Sequence, residues 1–89
     1  MWLYGKIGEF LKNERSKSGL TQAEVASKLG YDTAQFLSNI ERGKSAIPYE
    51  FIRKVIKIYG VSDTVVVNYL VSLQQQYIEA EIKNKKLKV

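Results

Sequence analysis

Apolar residues recur every three or four positions along this chain, the spacing that places side chains on one face of an α-helix. The first such segment contains Ile7, Phe10 and Leu11, and it predicts a helix from about Tyr4 to Ser18. Gly19 directly follows it and is a residue type that commonly ends a helix. The alternation typical of a β-strand is not found in the sequence.

Two short helices are predicted next. Thr21 and Glu24 have the spacing of a capping box that opens a helix. Its inner face carries Val25, Ala26 and Leu29, and Gly30 takes the position after its last residue. A third helix is predicted from Ala34 to Arg42, capped by Asp32 or Thr33, with Leu37 and Ile40 turned inward and Gly43 as its stop.

The C-terminal half predicts two further helices. Pro48 suits the first position of a fourth helix that ends at Gly60 and carries four inward residues, Ile52, Val55, Ile56 and Tyr59. The last and longest helical segment begins at Asp63, with Ser62 as its cap, and extends toward Lys85. The pattern as a whole predicts an all-α fold of about five helices.

Composition narrows the possible chemistry. The 89 residues include 14 Lys and Arg against 9 Asp and Glu, a net charge of +5 that favours polyanionic partners or simply keeps a small domain soluble. With no cysteine and no histidine, the chain has no disulfides, thiolate zinc sites or imidazole bases. We therefore expect neither an enzyme nor a cofactor. Charges interrupt the apolar residues of the N-terminus, so we expect no signal peptide or membrane helix and a cytoplasmic protein.

Two short helices joined by a tight glycine-containing turn are the arrangement of a helix-turn-helix, whose second helix enters the major groove of DNA. The outward residues of the predicted third helix are of types that read base edges: Ala34, Gln35, Ser38 and Asn39. Four residues near the ends of these helices are candidates for phosphate contacts, namely Gln22, Thr33, Arg42 and Lys44. An indifferent polar helix face is the alternative. Phe36 either packs against the turn or contacts a thymine methyl group or sugar, and its role stays open.

The segments LTQAEVASKLG and SNIERGKS resemble the DNA-binding domain of phage repressor and Cro-type helix-turn-helix regulators. The resemblance covers about residues 7–61 and implies a lambda-repressor-like fold. It also implies that Ala34, Gln35 and Asn39 read bases, that Gln22 supports the third helix near the DNA backbone, and that Arg15 pairs with Glu41. Many family members have one residue between the turn glycine and the cap of the third helix. Here Tyr31 and Asp32 both precede Thr33, which leaves the register of the base contacts open by one position.

The last helix predicts a further interaction. Val66, Leu70, Leu73 and Tyr77 follow the four-three spacing of a helix-helix seam, which predicts a homodimer formed through this helix. The alternative is that the helix folds back and completes the core of its own chain. The basic tail from Lys83 adds attraction to phosphates or is a solvated end.

The sequence thus predicts a DNA-binding domain over residues 1–61, with its helix-turn-helix pair at about 21–42, and a dimerisation helix with a basic tail over 62–89. The predicted function is that of a sequence-specific regulator of transcription, a dimeric repressor that binds a near-palindromic operator in double-stranded DNA. The alternative function is that of an antitoxin-like or adaptor protein, whose C-terminal helix binds another protein.

Overall fold

The computed structural model describes residues 2–83, and this part of the chain is helical without any strand. Five helices follow one another: α1 (Trp2–Lys17), α2 (Gln22–Lys28), α3 (Gln35–Glu41), α4 (Tyr49–Tyr59) and α5 (Asp63–Lys83). The predicted all-α fold of five helices is confirmed. None of the described helices is both long enough and apolar enough to cross a membrane.

The ends of α2 follow directly from its sequence. Thr21 Oγ1 accepts a hydrogen bond from the backbone N–H of Glu24, and Glu24 Oε1 accepts one from the N–H of Thr21, so the predicted capping box is confirmed. Hydrogen bonds from the backbone and side chain of Thr21 to the Glu24 carboxylate hold the pKa of Glu24 below its usual value. Gly30 follows the helix with a φ of 85°, a left-handed conformation that glycine adopts without strain.

The start of α3 differs from the prediction. The helix begins at Gln35, and Ala34 is the cap residue without any side-chain hydrogen bond, so the predicted caps Asp32 and Thr33 are wrong. Thr33 Oγ1 does accept a hydrogen bond from the N–H of Gln35, at 3.4 Å. The two residues between Gly30 and Thr33 thus lie in the turn, and α3 spans seven residues. The start of α4 also differs from the prediction by one residue. The helix begins at Tyr49, and Pro48 is the cap residue before it rather than its first residue.

One hydrophobic core lies among all five helices. Its most completely buried side chains are Leu11, Val25, Leu37, Ile40 and Val55. They come from α1, α2, α3 and α4, so the helix-turn-helix pair is held in place by the helices on either side of it. The inward positions predicted for α4 are buried, and Phe51 joins them.

Helix α1 passes close to the backbone at the end of α3. A Cβ atom added to Gly8 would overlap the carbonyl oxygen of Ile40 and lie 2.9 Å from that of Glu41. Only a residue without a side chain fits there. Gly8 therefore sets the depth at which α3 sits against α1.

Helix α5 folds back onto its own chain. Val66 and Leu73 are buried in the core, Leu70 packs against it, and Tyr77 stacks on Trp2 with ring centroids 6.2 Å apart. Of the four residues that the sequence assigned to contact with a second copy, Val66 and Leu73 are thus buried within their own chain, whereas Leu70 and Tyr77 are half-buried. The spacing of apolar residues predicts a contact between helices, but it does not identify the partner helix. Here the helices that cover Val66 and Leu73 belong to the same chain.

Candidate nucleic-acid interface

The turn between α2 and α3 sets the direction of α3. The backbone N–H of Tyr31 donates to the carbonyl of Ala26 at 2.9 Å, which closes the turn against the end of α2. Ala26 is almost completely buried at this point, where a small side chain allows a tight turn. The result is a helix-turn-helix pair of two seven-residue helices.

A buried network of charged and polar side chains connects the inner side of α3 to α1 and α2. Glu41 is the only charged residue buried in the described part of the chain, and its carboxylate accepts hydrogen bonds from Arg15 Nε at 2.7 Å and Arg15 Nη2 at 3.0 Å. The hydrogen bond to Glu41 raises the pKa of the Arg15 guanidinium, which also donates to the carbonyl of Leu20. The pairing of Arg15 with Glu41 that the resemblance implied is therefore present.

Gln22 belongs to the same network. Its Nε2 donates to Glu41 Oε1 at 2.8 Å, so the side chain links the first turn of α2 to the last turn of α3. This is the supporting position implied by the resemblance. The phosphate contact predicted for Gln22 would use the other hydrogen of Nε2, because one hydrogen is already engaged with Glu41.

The outer side of α3 carries the predicted base-reading residues. Gln35 is exposed, Ser38 and Asn39 are half-buried, and Ala34 lies in the turn at the start of the helix. Gln35 Nε2 donates to Asn39 Oδ1 at 3.0 Å, which places the two amides side by side along the helix. The structure thus brings Gln35 and Asn39 together as one polar surface.

The predicted phosphate contacts beyond α3 differ from each other in position. Lys44 is exposed just past Gly43. Arg42, by contrast, lies along α3, where Nη2 donates to Asn39 Oδ1 at 3.2 Å and Nε to the carbonyl of Ser38 at 3.4 Å. Arg42 therefore belongs to the same surface as Asn39.

An aromatic cluster of Tyr31, Phe36 and Phe51 anchors the start of α3. The ring of Phe36 lies 5.2 Å from that of Tyr31 and packs edge-on against Phe51 with ring centroids 5.4 Å apart. The turn, α3 and α4 meet at this point. Phe36, whose role the sequence left open, thus packs between Tyr31 and Phe51, and the longer turn supplies one of its partners. The sequence shows these aromatic residues, but it does not show that Phe36 and Phe51, which belong to different helices, are in contact.

Within residues 2–83, no three acidic side chains come together as a metal site would require. The polar groups around α3 are amides, hydroxyls and cations, which suit hydrogen bonding to base edges and phosphate oxygens.

Comparison with known proteins identifies the family of the chain. The model of a protein family described as a helix-turn-helix domain matches residues 6–67, more than two thirds of the chain. Comparison with curated proteins and with solved structures gives no match. The matched range begins in α1 and ends in the first turns of α5, so it includes the pair α2 and α3 and the helices that hold it. The chain therefore belongs to the helix-turn-helix domain family, a family of DNA-binding proteins.

Proposed function

We propose that this protein is a sequence-specific transcriptional regulator that places α3 in the major groove of double-stranded DNA. The observation that carries the proposal is the polar surface formed by Gln35 and Asn39 on the outer side of α3. The Arg15–Glu41 pair and Gln22 hold the opposite side of the same helix. A reading helix fixed from behind loses little conformational entropy on binding, which favours selective recognition.

Phosphate contacts would orient α3 in the groove. Gln22 lies in the first turn of α2, Thr33 lies in the turn before α3, and Lys44 follows α3, so the three positions flank the reading surface along the chain. The net charge of +5 adds attraction that does not depend on sequence. These groups position the protein, whereas Ala34, Gln35, Ser38 and Asn39 select the sequence.

We further propose that two copies bind one near-palindromic operator and repress transcription by occluding a promoter. A two-fold dimer would present two copies of α3 about 34 Å apart, one turn of the DNA helix. The surface available for dimerisation is a groove between α4 and α5, where Tyr49, Val67 and Val71 are each more than half exposed. Arg53 and Asp63 lie on the same groove, so a two-fold arrangement can pair the cation of each copy with the anion of the other.

Selection from a random duplex pool, followed by titration of the selected and a scrambled duplex at two salt concentrations, tests DNA recognition. We expect an enriched near-palindrome bound at least ~10³-fold more tightly than the scrambled duplex. Gln35→Ala should reduce this preference, whereas Lys44→Ala should weaken binding to every duplex alike and reduce the salt dependence. Equal, salt-sensitive binding to all duplexes would contradict sequence-specific recognition.

Light scattering of two matched variants tests the dimer. Val71→Lys places a charge in the groove, whereas Val65→Lys places one on α5 outside it, and both residues are exposed. We expect Val71→Lys to be a folded monomer with weakened operator binding and Val65→Lys to remain a dimer. Equal masses for wild type and Val71→Lys would contradict dimerisation through this groove.

An adaptor or antitoxin-like function is the second candidate. Exposed apolar residues continue beyond the groove along α5 to Ile78 and Ile82, which offers more apolar surface than DNA binding requires. A monomeric wild type that co-purifies with a different protein, and loses it in Val71→Lys, would support this function over the dimeric repressor.

A further inference from the structure

Arg42 and the two amides of α3 form a continuous set of hydrogen bonds. Arg42 Nη2 and Gln35 Nε2 both donate to the same atom, Asn39 Oδ1, at 3.2 and 3.0 Å. Arg42 Nε also donates to the carbonyl of Ser38 at 3.4 Å, which keeps the guanidinium alongside the helix. The three side chains therefore act as one unit at the reading surface.

The chemistry of arginine fixes the orientation of both amides. A guanidinium has only donors, so the atom of Asn39 that faces Arg42 must be its carbonyl oxygen. That oxygen has two lone pairs, and Arg42 and Gln35 occupy both of them. Asn39 keeps the two hydrogens of Nδ2, for which the described residues provide no acceptor. The end of α3 formed by Asn39 and Arg42 thus presents donors only.

We infer that this donor-only end of α3 recognises guanine, whereas Gln35 recognises adenine; the inference rests on the proposed function. Guanine presents two acceptors, N7 and O6, in the major groove. Gln35 keeps Oε1 as an acceptor and one hydrogen of Nε2 as a donor, the pair that adenine N6 and N7 require.

Arg42 is responsible for the difference between the two amides. An asparagine with a free carbonyl oxygen suits adenine in the same way as glutamine does. Because Arg42 occupies that oxygen, Asn39 can only donate, and its preference changes to a base with acceptors. Arg42 is therefore a specificity-determining residue of the reading surface, in addition to the phosphate contact that the sequence predicted for it.

The test is selection from a random duplex pool with wild type and the variants Asn39→Ala and Arg42→Ala. The base pair whose preference disappears in Asn39→Ala identifies the pair that Asn39 faces. We expect wild type to prefer guanine over adenine there by about tenfold, and Arg42→Ala to accept adenine because it frees Asn39 Oδ1. The matched control is Lys44→Ala, which should keep the guanine preference while losing affinity for all duplexes.

A second variant inverts the predicted chemistry without removing the side chain. Asn39→Asp can still accept hydrogen bonds from Arg42 and Gln35, but it has no donor for the DNA. Its preference should change from guanine to cytosine, whose N4 amino group is a donor. The inference would be overturned if wild type preferred adenine at this pair, or if Arg42→Ala kept the guanine preference. Either result would leave the proposed function intact. If wild type enriched no sequence from the pool, the result would contradict the proposed function as well.

Discussion

Arg15 donates from Nε to Glu41 Oε2 across 2.7 Å, and this contact joins α1 to the last turn of α3. The Glu41 side chain is 1% exposed and that of Arg15 is 12% exposed. A charge this deeply buried needs its partner, because an unpaired carboxylate cannot be solvated in the core. The position of α3 and the stability of the domain therefore depend on the same pair.

Removal of Arg15 alone should destabilise the domain strongly. We expect Arg15→Met to lower the free energy of unfolding by about 3–5 kcal/mol, because Glu41 would be left buried with only Gln22 as a side-chain donor. The double variant Arg15→Met/Glu41→Met should lose less than the sum of the two single variants. Urea denaturation of all four proteins measures this coupling. Additive losses would contradict a coupled pair.

The two glycines of α1 should respond in opposite ways to substitution by alanine. A Cβ on Gly8 would overlap the backbone carbonyl of Ile40, whereas a Cβ on Gly5 would meet nothing within 4 Å. We expect Gly8→Ala to destabilise the fold by at least ~2 kcal/mol, since the backbone of α3 must move. Gly5→Ala should stabilise it by about 0.5–1 kcal/mol through higher helix propensity. Thermal and urea denaturation compare the two, and similar effects would contradict this account.

The sequence predicted local features far better than contacts between distant segments. Helical spacing and the Thr21–Glu24 capping box depend on neighbours within four residues, and both predictions were confirmed. The role of Gly8 could not be predicted, because it depends on a backbone 32 residues away. The face of α5 that contains Val66 and Leu73 illustrates the same limit, since spacing cannot distinguish a helix of the same chain from one of a second copy.

The sequence predicted which residues form the candidate site, but not how their side chains are arranged. Gln35 and Asn39 were identified as outward residues of α3, and they lie together on its outer side. That Arg42 lies along the helix could not be foreseen, because rotamers of long side chains depend on the surroundings. The family resemblance, in turn, gave no partner for Phe36, which packs on Tyr31 from the longer turn of this chain.

The contact between Tyr31 and Phe36 should be measurable as a coupling energy. Rings at this distance and angle stabilise each other by about 0.5–1.5 kcal/mol beyond their burial. A double-mutant cycle of Tyr31→Leu and Phe36→Leu, followed by urea denaturation, should return a value in this range. The matched control pairs Phe36→Leu with Tyr69→Leu, because Tyr69 stacks on Phe10 instead. A coupling no larger than in that control would mean that the rings do not anchor α3 together.

Tyr59 should make the domain less stable in alkaline solution. Its hydroxyl is buried and has no hydrogen-bond partner within the described residues, and burial raises its pKa to about 12. Below pH 10 the phenol is protonated in both states, whereas above pH 10 the unfolded chain releases the proton and the folded chain keeps it. The free energy of unfolding therefore falls with rising pH, by up to about 1.4 kcal/mol per pH unit from this group.

Tyr59→Phe removes both the unpaired hydroxyl and this titration. We expect the variant to be more stable than wild type by about 1 kcal/mol at pH 7, because an unsatisfied polar group leaves the core. The difference should widen between pH 10 and 11, as only wild type loses stability through Tyr59. Urea denaturation at pH 7, 9 and 11 measures both effects, with Tyr49→Phe as the control for loss of an exposed hydroxyl. A less stable variant at pH 7 would show that the hydroxyl has a partner, such as a bound water, and a constant difference would contradict the raised pKa.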